Sequence, residues 1–315
     1  MATVTTAPPH LSDTTASKRK PLTVAKKRQF RAAYLFVLPF FVLFLGTIIV
    51  PLAYAGYISL FRKQLVGGLS FAGLDNYTRA LTDPEFLSGV ARMGLFLVVQ
   101  VPVMLALSLF FALALDSGMT RLAKFIRLGI FMPYAVPSVV AALMWGYLYG
   151  RDFGPFAQFA GLLGLPAPPF LTDQFMLFSI VNIVNWEFIG YNMIIIYAAL
   201  RSIPTELFEA ARVDGASEKR IAWSIKIPAV RPALILTVIF SVIGTFQLFN
   251  EPNLLKSIAP TVIGNSYTPN LYAYTLAFVN QDANYAAAIA FLLGILIMAL
   301  SYAVQLWNQR KENQS

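Results

Sequence analysis

The sequence predicts an all-α, polytopic membrane protein with six transmembrane helices and both termini in the cytoplasm. Composition is the first sign: of 315 residues 57% are apolar and only 12% charged, and the mean hydropathy is +0.65, too apolar for a soluble domain. Spacing is the second. Six apolar runs come close to the roughly 20 residues that a helix needs to cross a hydrocarbon core about 30 Å thick. The third is charge. Lys and Arg number 18 in the N-terminal tail, the second and fourth connectors and the C-terminus, against 6 in the other connectors, and such an excess marks the cytoplasmic side.

Residues 1–32 form a basic cytoplasmic tail whose first 17 residues have a disordered composition. Its seven cations (Lys18, Arg19, Lys20, Lys26, Lys27, Arg28 and Arg31) fix orientation and meet anionic membrane lipid. The first helix, 33–61, is too long for a secretory signal and no small-residue cleavage site follows it, so it is a permanent span. An external loop, 62–92, leads to a core over 93–307. Its five spans are Met93–Leu115, Leu128–Tyr149, Gln174–Leu200, Pro232–Asn250 and Tyr285–Trp307, and a tail, 308–315, closes the chain. The outer loops 65–92, 151–173 and 251–284 read as connectors, and Tyr147, Tyr149 and Trp307 as interfacial anchors.

The chain has no cysteine and one histidine, His10 in the tail. Disulfides, thiolate metal sites and cysteine nucleophiles are excluded, and acid–base catalysis is poorly equipped. No metal site is expected.

One cytoplasmic connector, 201–231, is patterned as two short helices around a turn. Ser202 and Pro204 open the first, which stops at Asp214 and Gly215, where glycine tolerates a left-handed backbone. Ser217 caps the second, which ends before Pro228. Ala211, Gly215 and Ile221 also fit a DNA-binding helix-turn-helix. That reading fails because both ends are pinned at the bilayer and Glu206, Glu209, Asp214 and Glu218 would repel phosphate; no nucleic-acid partner is expected. The alternative is a projecting helix that inserts into a groove of a cytoplasmic protein.

Glu209-Ala210-Ala211, followed by Gly215, Ile225, Ile227 and Pro228, resembles the EAA loop of binding-protein-dependent ABC importer permeases, with Ile227 where the family usually has leucine. Gly73-Leu74-Asp75-Asn76-Tyr77, Met132-Pro133, Trp145 and Asp214-Gly215-Ala216-Ser217 extend the similarity to the carbohydrate-type permeases of the maltose and glycerol-phosphate importer group. The resemblance implies the type I importer permease fold in a prokaryotic inner membrane. It also implies docking of the loop on an ATPase subunit, with Glu209 as anchor, Ala210 and Ala211 packing closely, and Gly215 at a bend where any side chain would clash. The implied partners are two ATP-binding subunits, a second permease and an extracytoplasmic sugar-binding protein. No Walker A pattern occurs in the chain, so ATP and Mg belong on the partner ATPase and this chain binds no cofactor.

Polar residues inside spans are costly and mark candidate substrate paths. Asn182, Asn185 and Asn192 fall within about 80° of one helix face, with Trp186, Glu187 and Tyr191 nearby. Gln100 of the second span and Gln247 and Asn250 of the fifth, followed by Glu251, complete the set. Amides and aromatic faces suit an uncharged, hydroxyl-rich sugar, whereas the asparagines could equally glue the bundle. An ion-coupled secondary transporter of a small polar solute is the rival reading. It usually has several intramembrane acids or broken helices, and here Glu187 stands alone inside a predicted span.

Overall fold

The computed structural model describes residues 24–64, 67–117 and 122–312. The stretch expected to be disordered, 1–17, and Lys18, Arg19 and Lys20 lie outside it. The chain divides into two units, 1–54 and 55–315. In the first, α1 (Val24–Phe44) passes through a π-helical turn, Leu45–Ile49, into α2 (Val50–Ser59). Helix therefore begins nine residues before the predicted span. Apolar side chains such as Phe36 and Phe40 are exposed, which suits a helix solvated by hydrocarbon.

The second unit begins within α2. A hairpin follows, β1 (Phe61–Gln64) against β2 (Gly68–Phe71), antiparallel with Phe61 opposite Phe71. α3 (Asp75–Thr82) is clamped to the end of α2 by the motif noted above: Asn76 Nδ2 donates to the carbonyls of Ser59 and Phe61 at 2.8 Å each, and the Tyr77 hydroxyl lies 2.7 Å from Ser59 Oγ. The buried Asn76 thus satisfies the Ser59 carbonyl that the ending helix leaves free and ties it to the Phe61 carbonyl at the start of β1. α4 (Pro84–Asp116) starts nine residues before the predicted second span because Asp83 caps it, accepting from the Glu85 amide at 2.9 Å.

α4 packs most extensively on α8 (Asp173–Arg201). Along α8, Met176, Ile180, Ile183, Gly190, Met193, Ile196 and Leu200 are buried, and the three-to-four spacing forms one seam. Met93 and Phe96 of α4 join its N-terminal part; Ala112 and Leu115 join Met193, Ile196 and Leu200 at the other end.

The predicted third span is broken. α5 (Ala123–Phe131) runs into a 3-10 turn, Met132–Ala135, and then, after a 97° bend, into α6 (Ser138–Leu148). Val136, held extended by the following Pro137, makes the break. α7 (Pro155–Leu162) precedes α8, so this outer loop carries structure. Tyr149 is also no interfacial anchor: it is 4% exposed and accepts from Asn182 Nδ2 at 2.8 Å.

The 201–231 connector forms α9 (Thr205–Val213), α10 (Glu218–Ile221), a π-helical turn, Ala222–Lys226, and α11 (Ile227–Ala229), which meets α12 (Arg231–Phe246) at 60°. Ser202 does not open α9 but caps the C-terminus of the preceding helix, its hydroxyl donating to the Ala199 carbonyl. Pro228 does not end the second helix. The widened turn, in which the Ile227 amide bonds to Ala222, admits a residue that lacks an N–H. The break falls instead at Val230.

α12 ends at Phe246, so Gln247 and Asn250 do not share a helix. Asn250 opens α13 (Asn250–Ile258), which packs on α6. α14 (Pro269–Tyr274), a π turn Thr275–Val279 and α15 (Ala283–Glu312) complete the chain. Among the described residues, four helices are long and apolar enough to cross a bilayer, or up to six if each bent pair counts as one crossing.

Candidate functional site

A cavity of about 450 Å³ lies between α4, the 3-10 turn, α8, α12 and the start of α13. Four sequence-predicted amides line it, Gln100, Asn192, Gln247 and Asn250, together with Tyr191. Buried Gln100 donates to Asn185 Oδ1 and to Met104 Sδ, both at 3.2 Å. Asn192 Nδ2 reaches Phe188 O at 3.0 Å and the same sulfur at 3.2 Å. Asn250 Nδ2 donates to Ser138 Oγ at 2.8 Å.

The break in the predicted third span has a local use here. It carries Tyr134 to the cavity, where its ring stacks on Tyr191 with centroids 4.7 Å apart. Phe96, Phe188, Phe240 and Phe249 add further aromatic surface. Amide dipoles beside aromatic faces are the combination that binds a hydroxyl-rich ring, by hydrogen bonds at its edge and contact on its apolar face.

Other predicted residues fall elsewhere. Asn185 is buried against Gln100, away from the cavity lining, and Asn182 lines a separate aromatic cavity with Tyr149, Trp145 and Phe170. Trp186 packs edge-on to Trp145 at 5.9 Å. Glu187 is 3% exposed, and neither carboxylate oxygen has a hydrogen-bond partner among the described residues. Glu251, 5% exposed, does line the cavity.

In the connector Glu209, Ala210, Asp214 and Gly215 are exposed, as is Pro228, while Ala211 and Ile225 are half-buried. Gly215 has φ +81°, and the Ala216 amide bonds back to Ala211 O at 2.9 Å, a left-handed helix stop. A Cβ at Gly215 would meet nothing within 4 Å. Within this chain the constraint is therefore backbone conformation and not the expected clash. Ser217 Oγ caps α10 through the Arg220 amide at 3.4 Å. Phe208 is the only buried residue of α9.

Several of these residues escaped the sequence reading. Phe208 looked like any apolar position of a short helix. Lys226, whose Nζ lies 5.0 Å from the Phe208 ring centroid, reads in the sequence as one more cytoplasmic charge, although it interrupts apolar neighbours. Tyr134 stands beside the noted Met132-Pro133, but its place depends on the bend. Among the described residues no three His, Cys, Asp or Glu side chains converge to hold a metal.

The fold and the composition of its helices define a multi-pass membrane protein. Residues 104–313 match the family model of the binding-protein-dependent transport system inner membrane component, and the chain belongs to this family. It is 30% identical over 277 residues to an arabinooligosaccharides transport system permease protein of Bacillus subtilis, covering 86% of each chain. A lactose transport system permease protein of Rhizobium radiobacter is 30% identical over 85% of this chain and 91% of its own. The fold matches that of a bacterial ABC transporter involved in the import of the acidic polysaccharide alginate, with a TM-score of 0.80 at 18% identity over 90% of this chain and 96% of the other.

Proposed function

We propose that this chain is one half of the translocation pathway of an ATP-driven sugar importer in a prokaryotic inner membrane. It crosses the bilayer six times with both termini in the cytoplasm, pairs with a second permease, and receives sugar from an extracytoplasmic binding protein. Two separate ATP-binding subunits do the chemistry. Alternating access, driven by nucleotide binding and hydrolysis there, exposes the central cavity first to one side and then to the other.

The observation that carries this reading is the presentation of α9. It buries Phe208 alone and leaves Glu209, Ala210 and the Asp214-Gly215 turn exposed, the arrangement of a helix meant to enter another protein's groove. The two permease relatives described above are named for saccharides, which favours a hydroxylated substrate, and the cavity lining of amides, hydroxyls and aromatic rings holds no Lys or Arg, which favours a neutral one. Ion-coupled transport has no support in these likenesses.

The native chain has no cysteine, so a single cysteine at Ala210 is a clean probe. In membranes that contain the assembled complex it should crosslink to the ATPase subunit from the cytoplasmic side. Crosslinking to no ATPase, or labelling of that cysteine only from outside, overturns the reading.

A further inference from the structure

Lys226 and Asp116 lie 110 residues apart in sequence and 2.6 Å apart in space, Nζ to Oδ2, with side chains 8% and 7% exposed. Asp116 is the last residue of α4, the helix that carries Phe96, Gln100 and Met104 to the cavity. Lys226 closes the π-helical turn after α10. Its ammonium also sits 5.0 Å from the centroid of Phe208, the one side chain by which α9 is buried. A single charge therefore touches the exposed helix, the irregular turn behind it and the end of a cavity-lining helix.

We propose that Lys226 is a positioning residue that makes α9 and α4 move as one body, so that a displacement delivered to α9 reaches the cavity. The proposal rests on the docking of α9 described above. A buried ion pair adds little net stability, because desolvation offsets its attraction, but leaving one partner behind is severely unfavourable. Its geometry is also directional. Apolar surfaces tolerate sliding, whereas an ammonium held between a carboxylate and an aromatic face loses both contacts when either helix shifts. The adjoining turn is where such fixing is needed, since π-helical turns interrupt the regular hydrogen-bond ladder. Val230 packs with Ala112 and Leu115 in the same region, which supplies cohesion without that directional lock.

The test uses the full complex in proteoliposomes, with spin labels on cysteines placed at Val213 in α9 and Leu107 in α4, both exposed. With the native pair, the distance between labels is expected to be the same without nucleotide and with ATP plus vanadate, and Lys226→Arg, which keeps charge and aromatic contact, should behave alike. The double variant Lys226→Met with Asp116→Leu leaves no stranded charge and is expected to assemble and melt normally, yet its interlabel distance should shift by about 2 Å or more with nucleotide. The same variant should lower the ratio of sugar carried to ATP hydrolysed by about threefold or more. A nucleotide-dependent shift with the native pair, or none in the double variant, overturns the proposal. Failure of the ATPase to co-purify instead overturns the docking of α9, and is read on the gel before any distance is measured.

Discussion

Gly190 of α8 faces the backbone of Ile130 so closely that a Cβ at 190 would lie 2.1 Å from the Ile130 carbonyl oxygen and 2.7 Å from the Phe131 Cα. The two backbones are in direct contact at the point where α5 gives way to the 3-10 turn. Close approach of this kind is how membrane helices gain dispersion energy when water supplies no hydrophobic drive. Because the obstruction is backbone, Gly190→Ala cannot be relieved by a rotamer change. We expect it to cost about 3 kcal/mol, seen as a lower melting temperature of the complex in detergent, and to separate Tyr134 from Tyr191. Gly129→Ala in α5, where a Cβ meets nothing within 4 Å, should be neutral or slightly stabilising.

The amides fall into two groups with different expected phenotypes. Asn185 bonds to Gln100 away from the cavity lining, so Asn185→Ala should cost about 0.6 kcal/mol of stability and leave the half-saturation of uptake unchanged. Gln247 is exposed to the cavity, and Gln247→Ala should raise half-saturation by about fivefold, the value of one hydrogen bond to a hydroxyl, with an unchanged melting temperature. Uptake measured with binding protein in excess, beside a melting curve for each variant, separates the groups. If both variants change only stability, the cavity is not the sugar path.

On the predicted external side, Asp83 gathers three elements. Its Oδ2 accepts from Tyr285 of α15 at 2.6 Å and from Tyr272 of α14 at 2.8 Å, and Arg79 of α3 covers the Tyr285 ring at 3.8 Å. Burial raises the carboxyl pKa, but the bonds from Tyr285 and Tyr272 and from the Glu85 and Phe86 amides outweigh it and hold the value below the usual carboxylate range. A depressed folded pKa gives stability that is present at neutral pH and lost as pH falls through the folded value, below about 4. Asp83→Asn should therefore cost about 1 kcal/mol at pH 7, and the gap between its melting curve and that of the native chain should narrow as the pH falls below the ordinary carboxylate range, about 4. A gap that stays constant with pH would mean that the charge on Asp83 contributes nothing.

How much of this was legible depended on range. Long apolar runs carry their own evidence, and the α8 and α15 boundaries fell within a few residues of expectation because length and charge suffice to delimit a crossing. The turn at Gly215 and the Ser217 cap were equally readable, being local chemistry. What escaped needs partners distant in sequence. Lys226 and Asp116 each look like solvated charges until α4 and the connector are brought together. The break at Val136 is foreshadowed by Pro137, yet proline inside a membrane helix is often absorbed, and the packing of the end of α5, Ile130 and Phe131, on Gly190 is a contact distant in sequence. The hairpin, α3 and α7 read as plain connectors in the sequence because their cohesion comes from contacts such as Asn76 with Ser59, not from long patterned runs.

Gly215 offers the sharpest separation between conformation and contact. Its φ of +81° disfavours any side chain by about 1 kcal/mol or more, although asparagine tolerates this region better than alanine or valine. Space around it within the chain is open. If only the backbone matters, Gly215→Asn should keep ATP-coupled uptake near the native level while Gly215→Val reduces it. If α9 docks in a cleft that closes over the turn, Asn and Val should both abolish coupling, because added volume and not backbone strain is then decisive. On the reading proposed here, uptake is lost in both variants while the melting temperature falls only for Val, and the Ala210 crosslink to the ATPase weakens in both. Native uptake in Gly215→Asn would place the docking contact away from the turn, on the exposed face of α9 around Glu209 and Val213.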